Sequence, residues 1–280
     1  QWLGKDKAPE VLGRIIAAGA FTSIVTFGVI WLAFDLLGLD FVPVYALGGG
    51  ATLLLALFCW FAFPHFPVKV HQHRRMILRK RYWLYYALTF LSGARRQIFI
   101  VFAGFLMVEK FGYSVAAISA LFLVNATLNM LFAARIGSLI GIVGERAALV
   151  FEYAGLVVVF TAYAFVDNAG IAAGLYIIDH FFFALAIATK TYFQKIADPA
   201  DIAATAGVGF TINHIAAVFL PALFGMLWLF SPSTVFLVGS GLAALSLVLS
   251  FNIPARPAPL NEVMVGHWGS IVPTKTAEEG

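Results

Sequence analysis

The residues of this chain that are best placed for chemistry are a few polar side chains inside long apolar runs. Arg95, Arg96 and Gln97 lie 12 to 14 residues into one such run, and Asp179 and His180 lie near the middle of another. At about 1.5 Å of rise per helical residue, that depth is close to the middle of a bilayer. An unpaired ionisable group there is costly, so each of these residues predicts a functional role.

The two arginines cannot both serve the same purpose. Neighbouring residues on a helix point about 100° apart, so at most one of Arg95 and Arg96 can face a central cavity. We expect the other to pair with an adjacent helix, and Asp179 is the natural partner because it is the acidic residue at mid-depth. Two interpretations stay open: a structural bridge that locks the helices, and a bridge that a transport cycle breaks. His180 can carry a proton at physiological pH.

Polar residues in two further apolar runs are weaker candidates. Asn213 and His214 precede Pro221 by one to two turns, and that proline predicts a kink because it removes a helix hydrogen bond. Asn125 and Asn129 are four residues apart and so share one helix face. Amides of this kind join helices in membranes, which is the role we favour for Asn129.

Several kinds of chemistry are excluded by the sequence. There is no Gly-rich phosphate loop, Ser–His–Asp order or HExxH motif, so we expect no enzyme. The single cysteine, Cys59, allows no disulfide within the chain, and no Cys or His cluster predicts a metal. We expect no cofactor; one haem, held by His180 and His214, is the alternative.

Glu152 lies in the fifth apolar run, and we expect it to pair with Arg146, about a turn and a half away on the same helix.

Membrane-spanning helices must position these side chains. The chain is 61% hydrophobic and 11% charged, whereas soluble domains carry about 25% charged residues. Eight windows reach the roughly 20 apolar residues that a span needs, and they must be helical because lipid offers the backbone no hydrogen-bond partners. The predicted fold class is an all-α polytopic membrane protein with about eight transmembrane helices. The windows are Val11–Leu37, Val42–Phe63, Trp83–Val108, Val115–Ala134, Ala147–Val166, Gly170–Thr189, Thr205–Phe230 and Thr234–Ile253.

Basic residues predict the orientation. Eight spans put both ends of the chain on one side, and 15 of the 18 Lys and Arg residues fall on that side, against Lys110 alone on the other. Both ends are therefore predicted to be cytoplasmic, in a cell membrane, with the bacterial inner membrane expected. The predicted units are a helix pair over 1–63, a basic cytoplasmic loop over 64–82, a six-helix bundle over 83–254, and a loose cytoplasmic tail over 255–280. We interpret the positive charges of this loop as residues that hold it on the cytoplasmic side. The alternative is that the loop binds anionic lipid headgroups.

The segment Gly137-Ser-Leu-Ile-Gly-Ile-Val-Gly-Glu-Arg146 resembles the cytoplasmic loop signature of the major facilitator superfamily of transporters. The family pattern is Gly-x-Leu-Ala-Asp-Arg-x-Gly-Arg-Arg or Lys, and Gly137, Leu139, Gly144 and Arg146 match it. Pro221-Ala-Leu-Phe-Gly225 is similar to the family's Pro-x-x-x-Gly motif in its eleventh helix. The long basic loop over 64–82 resembles the family's central loop.

The resemblance implies that the eight spans correspond to helices five to twelve of a 12-helix transporter. Residues 1–63 would be the last helix pair of its N-terminal bundle, and the absence of Met at Gln1 leads us to expect a cut edge. Substrate would bind near mid-membrane between two bundles that rock against each other. The implied gating-loop residues are Gly137, Gly144 and Arg146, and Pro221 is the implied kink. The predicted substrate-binding or coupling residues are Arg95, Arg96, Gln97, Asn125, Asp179, His180, Asn213 and His214.

The function that follows is secondary active transport of a small solute, polar or anionic, by a symporter or antiporter. Proton coupling through Asp179 or His180 is one option within it. The expected partners are a small-molecule substrate, the lipid bilayer and protons, with no nucleic acid. Two alternatives stay open: a transporter-like assembly factor or scaffold that binds a pigment or a partner protein, and a membrane enzyme or haem reductase.

Overall fold

Long apolar helices make up most of the chain. The computed structural model describes residues 7–31, 33, 37–64, 71, 73 and 75–266. Within these ranges the chain forms ten α-helices and no β-strand. The helices are α1 (Ala8–Trp31), α2 (Phe41–Ala62), α3 (Trp83–Gln97), α4 (Gly104–Phe111), α5 (Val115–Val143), α6 (Glu145–Phe165), α7 (Ala169–Ala184), α8 (Ile187–Ile196), α9 (Ile202–Phe230) and α10 (Pro232–Ser250).

Eight helical segments of the described chain are long and apolar enough to cross a membrane. This agrees with the eight predicted windows and with a multi-pass membrane protein. Two of the eight contain more than one helix. The third runs over Lys80–Phe111 and includes α3 and α4, and the sixth runs over Ala169–Ile196 and includes α7 and α8.

Those two segments are interrupted near their middles. Between α3 and α4 the chain forms a π-helical stretch at Ile98–Ala103. Between α7 and α8 it tightens into a turn in which the amides of Leu185 and Ala186 bond carbonyls three residues back. The two spans are confirmed as membrane-length segments. The sequence did not predict their irregular stretches, because neither stretch contains a Pro or Gly that would mark one.

The predicted loop between the fourth and fifth spans is shorter than expected. Helix α5 continues to Val143 and α6 begins at Glu145, so Gly144 alone connects them. Gly144 has φ +87°, a conformation that favours glycine. Gly137 lies inside α5 and Arg146 in the first turn of α6. The prediction that Gly137 belongs to a loop is thus wrong, since the apolar run of α5 carries the helix past it.

Helix α1 lies along α5 and touches it at two glycines. Gly13 faces the backbone of Ala133, and Gly137 faces the backbone of Pro9, each too closely for a side chain to fit between the helices. Small residues allow this kind of close approach in membranes. Helix α2 differs, because none of its residues is buried. Helices α3, α6, α9 and α10 pack around the core that holds the candidate site.

The segment after α10 packs onto the bundle as far as Gly266. Val263 is 2% exposed, the Tyr192 hydroxyl donates to the Glu262 carbonyl at 2.6 Å, and the Trp83 indole donates to the Gly266 carbonyl at 3.1 Å. The prediction of a loose end after residue 254 is therefore wrong for residues 255–266. Residues 267–280, and 65–70, 72 and 74 of the predicted basic loop, lie outside the described residues.

Candidate functional site

A cavity of about 380 Å³ opens in the interior of the helical bundle. Helix α3 gives it a polar stripe in which Tyr85, Thr89, Ser92 and Arg96 follow one another at intervals of four, three and four residues. That spacing puts all four side chains on one helix face. The other polar lining residues come from α5, α7, α8 and α9: they are Asn129, His180, Thr189, Lys190 and Asn213.

The two arginines of α3 lie in different environments. Arg96 is exposed and lines the cavity, whereas Arg95 is fully buried. Arg95 belongs to the neighbouring stripe of α3, about 100° around the helix, whose other members, Leu84, Leu88 and Leu91, are also buried. One residue of helical rotation therefore separates a cavity residue from a core residue.

The cavity is basic. Arg96, Lys190 and His180 line it, and its lining in the described part of the chain includes no Asp or Glu. Neither Arg96 nor Lys190 forms an ion pair with any described residue. Arg96 and His180 interact electrostatically, and the Nδ1 of His180 bonds the Tyr176 carbonyl of its own helix at 3.1 Å. The arrangement leaves positive charge available to a ligand.

Both helix interruptions border this cavity. Phe99 and Ile100 belong to the π-helical stretch, while Ala184, Ala186 and Ile187 flank the break between α7 and α8. Interrupted helices at membrane depth occur where the backbone lines a cavity or is buried in protein. Single π-helical turns are also frequent at functional sites. The irregular backbone thus coincides with the basic cavity.

Arg95 lies at the centre of a separate, fully buried polar cluster. Its Nη1 donates to the Ser246 hydroxyl of α10, and its guanidinium lies 4.6 Å from the centroid of the Tyr153 ring. Glu152 and Asp179 are also 0% exposed, and both carboxyl groups interact electrostatically with Arg95. All four carboxyl oxygens lack a hydrogen-bond partner among the described residues, as do Nε and Nη2 of Arg95.

This cluster changes two sequence-based expectations. Arg95 and Asp179 are neighbours in the electrostatic sense, but no hydrogen bond or ion pair joins them in the described structure. Glu152 does not pair with Arg146, whose Nη1 contacts the Met264 sulfur instead. Glu152 is fully buried and interacts with Arg95, so this cluster contains two acidic groups and not Asp179 alone.

A second cavity, of about 230 Å³, lies between α5 and α7. Its walls are mainly apolar, with Leu128, Phe132, Ile136, Ile177 and Phe181 among them. Three residues line both cavities: Asn129, His180 and Ala184. The side chain of Asn125, 3% exposed, also lines the second cavity, and neither its Oδ1 nor its Nδ2 has a partner among the described residues.

A charged cluster joins the segment before α3 to the start of α9. Asp201 is 1% exposed. Its carboxylate accepts two hydrogen bonds from Arg79 at 3.1 Å, one from Arg81 at 3.2 Å and one from the Tyr82 hydroxyl at 3.0 Å. Burial alone would raise the pKa of Asp201, but the hydrogen bonds from Arg79, Tyr82 and Arg81 outweigh it and hold the pKa below its ordinary value. We call this group the Asp201 cluster.

A second ion pair ties two helix ends together. Lys195, near the end of α8, lies 2.8 Å from the Glu145 carboxylate at the start of α6. Glu145 follows the Gly144 connection directly. The predicted gating segment therefore contains a charge pair through Glu145, while Arg146 is turned toward the segment after α10. A gating role for Gly137, Gly144 and Arg146 remains a prediction.

The remaining predicted residues are divided between the cavity and other surfaces. Asn213 lines the cavity opposite Gly93 of α3. His214 is exposed and stacks on Phe210, with ring centroids 3.9 Å apart. It lies outside the cavity because the next position on α9 turns about 100° away. Gln97 does not line the cavity either, since it ends α3 on another face.

Sequence reasoning missed the polar stripe of α3 and the placement of Lys190. The intervals between Tyr85, Thr89, Ser92 and Arg96 are a helical-face signal that could have identified the stripe. The sequence places Lys190 among the basic residues of the predicted cytoplasmic side. In the structure it belongs to α8, which continues the sixth segment, and it lines the cavity. Pro221 lies within the continuous helix α9.

Neither the models of known protein families nor the curated proteins include a match to this chain. Within the described residues, no group of three or more His, Cys, Asp or Glu side chains is arranged to hold a metal ion.

Proposed function

We propose that this protein is a secondary active transporter that moves a small organic anion across a membrane by alternating access, as members of the major facilitator superfamily do. The observation that carries the proposal is the basic cavity inside a bundle of membrane-length helices. Arg96 and Lys190 face it, and no Asp or Glu of the described residues lines it. Positive charge on the wall of a cavity attracts an anionic ligand.

The helix interruptions support the same proposal. Discontinuous helices at the substrate site are a recurring feature of secondary transporters. Here the interruptions of the third and sixth segments border one cavity together with α9.

The buried cluster around Arg95 supports proton coupling as the second part of the proposal. One guanidinium faces two fully buried carboxyl groups, Glu152 and Asp179, and none of their oxygens accepts a hydrogen bond from a described residue. A buried group of this kind is least costly when its charges sum to zero. Uptake of one proton by either carboxyl gives that balance. The cluster could therefore bind a proton on one side of the membrane and release it on the other.

The test is transport by the purified protein in liposomes, with radiolabelled butyrate, succinate and octanoate as probes. We expect uptake of at least one carboxylate, and a loss of about tenfold or more in apparent affinity for Arg96→Gln and for Lys190→Gln, because each removes a charge-assisted contact. Arg14→Gln is the control, since its exposed pair with Glu10 is four residues away on one helix surface. Uptake that is unchanged in both cavity variants would show that the solute is not bound as an anion there.

A further inference from the structure

We propose that the two cavities form one binding site for an amphipathic carboxylate, whose charged head lies at Arg96 and Lys190 and whose apolar tail enters the cavity between α5 and α7. This inference rests on the proposed function and names the substrate class. We call the cavity between α5 and α7 the side compartment.

The first support is the shared wall. Asn129, His180 and Ala184 line both cavities, so a ligand in the main cavity borders the side compartment directly. The smallest of the three, Ala184, presents only a methyl group at this junction. The proposal therefore requires the tail of the ligand to pass between α5 and α7 beside Ala184, where the wall shared by the two cavities has its smallest side chain.

The second support is the contrast in lining. The main cavity offers a polar stripe and two cations, whereas the side compartment offers Leu128, Phe132, Ile177 and Phe181. Apolar walls are typical of pockets that bury the body of a ligand while a few polar groups fix its orientation. The division matches a molecule with one charged end and one apolar end.

The third support is Asn125 within the side compartment. Its amide is buried with both polar atoms unpartnered, and leaving such a group unpaired is unfavourable. It is one helical turn from Asn129 along α5, away from the shared wall. A hydroxyl or carbonyl on the tail would satisfy the amide, which selects tails that carry one hydrogen-bonding group.

The experiment measures equilibrium binding of radiolabelled octanoate to the protein in lipid nanodiscs, with empty nanodiscs as the blank and butyrate and octanol as competitors. We expect octanoate to bind more than about tenfold more tightly than butyrate, since the longer tail buries more apolar surface. Octanol should compete poorly because it has no charge for Arg96. Ile177→Trp fills the side compartment and should remove most of the preference for octanoate.

Ile178→Trp is the matched control, because Ile178 is the next residue on α7 and is 47% exposed on the outer surface. Arg96→Gln should weaken octanoate and butyrate alike. If both acids bind equally and Ile177→Trp changes nothing while Arg96→Gln abolishes binding, the anion site stands and the side compartment is not a tail site. If octanol binds as tightly as octanoate whether or not Arg96 is present, the compartment holds lipid chains and the inference fails. If neither acid binds and Arg96→Gln has no effect, the proposed function itself fails.

Asn125 has its own test in the same assay. We expect 8-hydroxyoctanoate to bind at least as tightly as octanoate to the unmodified protein. Asn125→Leu should weaken 8-hydroxyoctanoate and leave octanoate unchanged, because only the hydroxylated tail pairs with the amide. An equal response of the two ligands to Asn125→Leu would exclude a hydrogen bond from this residue to the tail.

Discussion

Arg95 and Arg96 show how much a single helical step decides in this molecule. Arg96 borders the cavity, and Arg95 contacts Ser246 and the Tyr153 ring in the core. The sequence reasoning that at most one of them faces a cavity follows from helix geometry alone. Which one does so depends on the packing of α3 against α10, and this is not visible in residue types.

The buried acids define a prediction at this scale. Replacing Asp179 with Asn removes one of the two carboxyls that face Arg95, so the cluster no longer needs a proton to balance its charge. We expect the variant to bind octanoate as before and to lose substrate-driven proton uptake. Pyranine fluorescence inside proteoliposomes measures the proton movement, with succinate as the substrate and protein-free liposomes as the blank, because protonated octanoic acid crosses a bilayer unaided. The nanodisc assay measures binding.

Glu152→Gln separates the two acids, and His214→Gln is the control. Loss of proton uptake in one acid variant alone assigns the coupling proton to that residue, whereas loss in both indicates a shared proton. His214 is exposed and stacks on Phe210 outside the cavity, so its variant should behave like the unmodified protein. Full proton uptake in both acid variants would mean that the cluster is purely structural.

The part of the site that could be predicted is the part with unusual residue types. Charged residues in apolar runs stand out, so Arg96 and His180 were predicted from the sequence. Thr89 and Ser92 did not stand out, because hydroxyl residues are common where membrane helices pack together. Glu152 was assigned to the wrong partner because sequence separation favoured Arg146, while the fold turns that face of α6 toward Arg95.

At the scale of elements, hydropathy predicts well where a membrane-length segment lies and predicts poorly whether that segment is one regular α-helix. All eight windows correspond to membrane-length segments of the described chain, because the number of apolar residues alone sets that result. The break at Leu185 and Ala186 escaped prediction, since both residues are good helix formers. Its cause is tertiary: the chain turns where α7 and α8 border the cavity.

The Asp201 cluster gives a prediction on how elements are joined. Asp201→Asn removes the charge that Arg79 and Arg81 share, and we expect a loss of about 2 kcal/mol, the size of a hydrogen bond to a charged group. Because the pKa of Asp201 is lowered in the folded protein, its contribution is fully present above the ordinary value of 3.8 and is lost as pH falls through the lower folded value. His73 belongs to the same cluster, since its Nε2 lies 3.5 Å from Oδ1 of Asp201. The two proteins should therefore differ in thermal unfolding at pH 8 and at pH 5, and the difference should disappear as pH falls below 3.8.

Asp198→Asn is the control for this cluster. Asp198 is exposed, and its Oδ1 accepts a hydrogen bond from the Ala200 amide, which an Asn side chain can also accept. Its Tm should stay close to that of the unmodified protein at every pH. If Asp201→Asn and Asp198→Asn had the same Tm at pH 7, the cluster would contribute nothing to the junction between the segment before α3 and α9.

At the scale of the whole molecule, the segment after α10 is a structural part of the bundle. Val263 is buried in the main core, and we expect Val263→Ala to cost about 2 kcal/mol, because it removes two methyl groups and leaves a cavity. Differential scanning fluorimetry should show a lower Tm. Val265→Ala is the matched control, since Val265 is 74% exposed two residues later. Equal Tm values for the two variants would mean that residues 255–266 do not hold the helices together.

The contact between α1 and α5 has a mechanical consequence. Where Gly13 and Gly137 meet the other backbone, no side chain crosses from one helix to the other. The two backbones are therefore in direct contact at these points. A methyl group added at either glycine would meet backbone atoms of the other helix and would force α1 and α5 apart.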